Sequence, residues 1–176
     1  MKTMTIGMTK QMCLIRQISP TARKRIEAQG FLGYSDSFLA YINYPLRLAP
    51  AICMTWVAVG TYLASPFALW ALMPFAFLGA VLPGHPFDAI YNHGIRHLIG
   101  APALPKYGKP RRFACANMTV WLGVTGWAFS SGWMALGYAL GIFEVLLALV
   151  NVTTGFCVPS FFYGLLFGKP QTQRTA

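Results

Sequence analysis

The chain has little charge, and almost none of it is negative. Only four of its 176 residues are acidic (Glu27, Asp36, Asp88 and Glu144), and charged residues make up 10% of the total. An average soluble domain carries about a quarter charged residues, so an ordinary water-facing surface is excluded. No H-E-x-x-H pattern occurs, which removes the common helical zinc signature. Residues 1–30 contain no apolar run of signal-peptide length and no small-residue cleavage site, so a cleavable leader is not expected. A complete set of catalytic residues is also missing, and no reaction or cofactor follows from the sequence.

Apolar sequence is abundant. Hydrophobic residues reach 56%, and the apolar runs after Arg47 approach the roughly 20 helical residues that cross a bilayer. The pattern predicts an all-α membrane protein with four transmembrane helices in two hairpins, plus short interfacial helices. The spans are expected at about 48–63, 67–82, 113–129 and 133–152, with turns at Ser65-Pro66 and Ser130-Ser131-Gly132. Pro74 is expected to kink the second span. Residues 1–46 form an interfacial N-terminal segment, 47–168 the membrane domain with a connector over 83–112, and 169–176 a tail. Ser19-Pro20 starts a short helix that Gly30 stops. A second, over 36–44, places Phe38, Leu39, Tyr41 and Ile42 towards the interface plane. Pro159 to Phe167 reads as a short re-entrant or interfacial helix.

Charge placement fits this layout. Seven basic residues precede the first span, five lie between the second and third, and two (Lys169 and Arg174) follow the last apolar segment. Four spans put all fourteen on one side, which the positive-inside rule makes cytoplasmic. The net charge of +10 therefore has a topological reading, and nucleic acid is not an expected partner. The bilayer is one partner, and other membrane subunits are the second.

The halves look related. A shift of 65 places Arg47 on Arg112, Ala49 on Ala114, Trp56 on Trp121 and Ser65 on Ser130. After an insertion, His85-x-x-Asp88-x-x-Tyr91 falls on Cys157-x-x-Ser160-x-x-Tyr163. A parallel repeat about an axis along the membrane normal is the expectation.

The connector holds all three histidines. Pro86 and Asp88 suit a helix start, and Gly100-Ala101-Pro102 a stop. At about 100° per residue, Phe87, Tyr91, Ile95 and Leu98 would share an apolar face opposite His93, Arg96 and His97. His93 and His97 have the i,i+4 spacing of a metal pair, but zinc needs about three or four protein ligands, so they are weak metal candidates and no metal is assigned.

GHPFDAIYNHGIRH, PKYGKPRRFACA and GFCVPSFFYG together resemble a family of small bacterial integral membrane proteins known only as a domain of unknown function. The resemblance spans roughly 47–168 and implies an inner-membrane location. Members often carry C-x-x-C in the last motif, where this chain has Cys157 and Ser160, so a dithiol carried over from the family is weakened here.

Four cysteines are present. A buried cysteine ordinarily packs as a small hydrophobe. Cys157 stands out because it precedes a helix start, where a thiol is acidified. His85 and Asp88 are the other catalytic candidates, while Arg47, Arg112 and Cys115 are expected to form a basic binding pocket with them. Glu144 lies near mid-membrane on a stripe of Gly137, Gly141, Ala148 and Asn151, and is expected to face protein. Two functions from different classes follow. One is a non-catalytic accessory or assembly subunit of a larger membrane complex. The other is a thiol-linked redox or carrier protein using Cys157 at the cytoplasmic membrane face.

Overall fold

A computed structural model describes residues 18–168. Lys2, Lys10, Cys13 and Arg16, and the tail from Lys169 to Arg174 and beyond, lie outside the described residues. All regular structure among the described residues is helical. The helices are α1 (Pro20–Ala28), α2 (Asp36–Ile42), α3 (Leu48–Tyr62), α4 (Pro66–Val81), α5 (Lys109–Ser130), α6 (Met134–Thr154) and α7 (Val158–Phe167). Among the described residues only α6, with 21 residues, is both long and apolar enough to cross a membrane by itself. At 1.5 Å per residue, α3 and α4 are shorter, with 15 and 16 residues. The 22-residue α5 begins on the polar run Lys109-Pro110-Arg111-Arg112.

Local signals explain the boundaries. Ser19, Ser35 and Ser65 cap α1, α2 and α4 by accepting a hydrogen bond from the backbone N–H three residues on. Proline occupies the first turn of α1, α4, α5 and α7, where its missing N–H costs nothing. The α4 helix runs on through Pro74. Gly155 ends α6 in the left-handed region at φ 72°, and a side chain there would press within 3.1 Å of Arg47.

The four long helices form two hairpins packed side by side. The α3 helix lies against α6, and α4 against α5. The shared core is Cys53, Val57, Leu69, Leu72, Ala76, Leu122 and Phe129. The same polar contacts recur in both hairpins at corresponding positions. Trp56 Nε1 donates to Ala68 O at 2.8 Å, and Trp121 Nε1 to Leu140 O at 3.1 Å. Arg112 donates to Ala80 O and Val81 O at the end of α4, and Arg47 to Val152 O and Thr153 O at the end of α6. Each arginine thus satisfies the bare carbonyls of a helix C-terminus, where a cation is also favoured by the dipole.

A second core caps the charged end of the bundle: Ile26, Phe31, Leu39, Ile42, Leu46, Tyr91, Leu104 and Tyr107. The sequence reading of α2 needs correction here. Leu39 and Ile42 are buried in protein rather than laid in an interface plane, because the connector folds back over them. The connector helix is corrected too. It is a short α-turn (Asp88–Ile90), a π-turn (Tyr91–Ile95) and another α-turn (Arg96–Ile99). The wide π-turn shifts the register. Tyr91 stays buried while Leu98 is 87% exposed, so the expected apolar face is split.

Candidate functional site

The hairpins leave a cavity of about 130 Å³ between α3, α5 and α6, roofed by the connector and the start of α7. Cys53, His85, Arg111, Cys115, Glu144 and Cys157 all line it. These residues are far apart in sequence, and the fold alone unites them. Four pairs of lining residues occupy corresponding places in the two hairpins: Ala49 and Ala114, Pro50 and Cys115, Cys53 and Met118, His85 and Cys157.

His85 enters from the bend after α4. Its ring sits over Gly79, where an added Cβ would lie 2.6 Å from His85 Cδ2 and 3.0 Å from Cys115 Sγ. Glycine at 79 therefore leaves the room above α4 that both the imidazole and the Cys115 thiol occupy. The Nδ1 atom accepts the Phe87 N–H at 3.3 Å, and Nε2 lies 3.9 Å from Cys53 Sγ. Burial, with the Arg111 charge adding to it, lowers the His85 pKa to about 4, so the ring is neutral at physiological pH. A neutral ring that accepts at Nδ1 holds its hydrogen at Nε2, pointing at the Cys53 sulfur.

Cys157 is the N-cap residue of α7. It is buried, and its sulfur accepts a hydrogen bond from Ser160 Oγ at 3.1 Å. Ser160 Oγ also lies 3.2 Å from Pro110 O. Ser160, three residues on, thus serves Cys157. Cys53, Cys115 and Cys157 are free thiols.

The basic group of the site is Arg111, and the expectation for Arg47 and Arg112 is corrected. Those two arginines are engaged in capping α6 and α4. Arg111 instead points inward and is 5% exposed. It donates to Gln29 Oε1 at 2.6 Å and Leu46 O at 2.5 Å. Its guanidinium lies 4.6 Å from the Tyr107 ring centre and 5.6 Å from that of Phe31. A helical period carried the missed signal. Arg111, Cys115 and Met118 are i, i+4 and i+7, one face of α5, whereas Arg112 is turned about 100° away.

Asp88 is buried behind this group and does not line the cavity. Neither carboxylate oxygen makes a hydrogen bond of good geometry to the described residues. Burial raises its pKa, and Arg111 and the Tyr107 hydroxyl offset that only in part. The Tyr107 hydroxyl is itself pushed well above its ordinary value by burial. Glu144 faces protein, as its stripe predicts: Gly137, Gly141 and Glu144 are buried on α6. A Cβ at Gly141 would collide with Thr61, so α3 and α6 approach closely just below the acid. Glu144 Oε2 and Thr61 Oγ1 have no hydrogen-bond partner among the described residues.

The connector histidines are not brought to the site. His93 Nδ1 pairs with Ala89 O at 3.1 Å, and His97 Nε2 accepts from Arg96 Nε at 3.3 Å. Among the described residues no three His, Cys, Asp or Glu side chains come together as a metal-binding group. What the site offers chemically is three thiols, a neutral imidazole, a buried cation and a buried acid around one small space.

Comparison with curated proteins and with solved structures gives no match. A family model does match, over residues 43–167, and those residues hold the two hairpins, the connector and every cavity-lining residue except Gln29. The chain belongs to the family described as Domain of unknown function (DUF4395).

Proposed function

We propose that this chain is a four-span protein of the bacterial inner membrane that works as a thiol-linked redox or carrier protein. The observation that carries the reading is the meeting of Cys53, Cys115 and Cys157 with His85 and Arg111 on one cavity. A thiolate formed there has the Arg111 charge nearby, and Cys157 also has the start of α7 behind it. Arg111, which lines the cavity, takes the place that the basic pocket was expected to give Arg112.

The outward sides of the four long helices support membrane residence. Val59, Phe67, Phe77, Val120, Val124, Ile142 and Leu146 are all exposed there. Arg23, Lys24, Arg25, Arg47, Arg96, Lys106, Lys109, Arg111 and Arg112 all precede α3 or lie between α4 and the first turn of α5. They belong to the end opposite the Ser65 and Ser131 turns, and the positive-inside rule makes that end cytoplasmic. The recurring tryptophan and arginine contacts support a parallel repeat with its axis through the cavity, the place where repeat proteins of membranes hold their ligands. Reporter fusions at Tyr107 and Ser131 test the orientation. Cytoplasm for the first and periplasm for the second is the expected pair, and a periplasmic Tyr107 overturns it.

The functional test is alkylation of each cysteine in native membranes. The Cys157 thiol is expected to react before those of Cys53 and Cys115, and Arg111→Gln to slow it while Arg112→Ala leaves it unchanged. A Cys157 that reacts only after denaturation sinks the thiol reading.

A second reading, an accessory or assembly subunit, has its own observation. Leu98 and Ile99 are 87% and 62% exposed on the charged connector beside Arg96, a surface suited to another membrane subunit. Purification in mild detergent separates the two. Stable co-purification with one large complex favours the subunit, and a lone protein with a reactive thiol favours the carrier.

A further inference from the structure

Five sulfur side chains line the cavity: Cys53 and Met54 from α3, Cys115 and Met118 from α5, and Cys157 before α7. Glu144 is the one carboxylate among the lining residues. Thiolates and thioethers are soft donors, which select soft cations over magnesium, calcium or manganese. Zinc is a poor fit, because it takes about three or four His, Cys or carboxylate ligands and no three such groups assemble among the described residues. A soft monovalent ion accepts a pair of sulfur donors, with a thioether as an optional third.

Two further observations bear on charge. Arg111 is buried at the cavity, and its hydrogen bonds go to the neutral oxygens of Gln29 and Leu46. No carboxylate forms an ion pair with it among the described residues. A monovalent cation bound by two thiolates carries one net negative charge, the complement of this guanidinium. His85 supplies the other. Its Nε2–H points at Cys53 Sγ, while its Cδ2 and Cys115 Sγ flank the same small space over Gly79. The ring is thus placed to orient a Cys53 thiolate by hydrogen bonding, as outer groups orient metal ligands.

We propose that this cavity binds one soft monovalent metal cation of the Cu(I) class, through the Cys53 and Cys115 thiolates with the Met118 thioether beside them. The proposal deepens the thiol-carrier reading and rests on it. Two thiol protons leave as the ion enters, and no electron is transferred. Cys53 and Met118 hold corresponding places in the two hairpins, so the ion would sit close to the axis that relates them. His85 is a positioning residue here and not a ligand.

The test uses the full chain in detergent, reduced and anaerobic, with Cys13→Ser to silence the tail. Cu(I) is presented on a chromophoric chelator. The expected result is withdrawal of one ion per chain, with Ag(I) competing and Zn(II) not. The Cys53→Ser, Cys115→Ser double variant should lose at least about a hundredfold in affinity, and His85→Phe roughly tenfold, the range seen when an orienting partner is removed. Met118→Leu keeps the packing and should lose several-fold. X-ray absorption should report sulfur around the metal. A wild-type chain that leaves copper on the chelator overturns the proposal, as does a double variant that binds as well as its parent. Cys157 alkylation is read without metal, so a chain with a reactive thiol that ignores Cu(I) refutes the metal and leaves the thiol reading standing.

Discussion

The two hairpins share a scaffold and differ in chemistry. In α3–α4 and in α5–α6 a tryptophan ties the first helix to the second, Trp56 to Ala68 and Trp121 to Leu140. In each, an arginine at the head of the first helix closes the tail of the other hairpin. The unmatched positions are the reactive ones. Leu72 is fully buried on α4, and the corresponding residue of α6 is Glu144. His85 follows one hairpin where Cys157 follows the other. Matched contacts hold the bundle together. The residues that break the match supply an acid, an imidazole and thiols to the cavity between the hairpins.

The strongest way to break this comparison is at Glu144. Glu144→Lys places a fixed charge in the bundle at a cost of about 2.5–3.5 kcal/mol on the membrane-insertion scale, and loss of accumulation is the expected outcome. Normal levels of the lysine variant would show that the position meets water or headgroups. Glu144→Gln should keep both fold and expression. Glu144→Leu, which restores the residue of the other hairpin, should raise thermal stability by about 1–3 kcal/mol, because it removes a buried oxygen without a partner. A drop instead would mean that the acid is satisfied in the folded protein.

The paired arginines sharpen the comparison. Arg47→Ala and Arg112→Ala should each cost about 1–3 kcal/mol through lost hydrogen bonds to helix-end carbonyls, with the larger loss at Arg47, which also donates to Asn43 Oδ1. Thermal melts of both variants check this. A larger loss at Arg112 would mean that it does more than cap.

The smallest effect is a pH slope. His85 takes up a proton near 6.5 when unfolded and near 4 when folded. Between those values the unfolded chain binds more protons, so stability should fall as pH drops from about 6.5 to about 4, by up to about 1.4 kcal/mol per pH unit. Asp88 acts in the opposite sense. Its raised pKa gives a contribution present at low pH and lost as pH rises. His85→Asn therefore isolates the imidazole, and a variant whose acid limb is as steep as the parent's would show that His85 is not the titrating group.

Much of the fold was legible because it depends on local rules. Serine caps, first-turn prolines and the Ser130-Ser131-Gly132 turn placed the long helices to within a few residues, except that α5 begins at Lys109 rather than 113. The 65-residue shift pointed to Trp56, Trp121, Arg47 and Arg112 before any contact was known. The Glu144 stripe followed from helical periodicity. The connector was misread because a π-turn adds a residue to the turn, and no residue type marks that in advance. Nothing near Cys53 in sequence distinguishes a packed cysteine from one facing an imidazole.

What the sequence determined by itself was the class and the layout: an all-α chain, apolar in four stretches, basic at their ends, with a polar connector in the middle. Composition, periodicity and turn chemistry act over a few residues at a time, so one dimension is enough to read them. Only the tertiary structure decided which groups meet. It turned Arg111 inward and Arg112 to a helix end, since neighbours on a helix diverge by about 100°. It brought Cys53, His85, Cys115 and Cys157 to one cavity because α3 packs on α6 and α4 on α5. Helix pairing is set by the fit of whole helix faces, such as Gly141 against Thr61 and Gly79 beneath His85, and a fit between surfaces has no address along the chain.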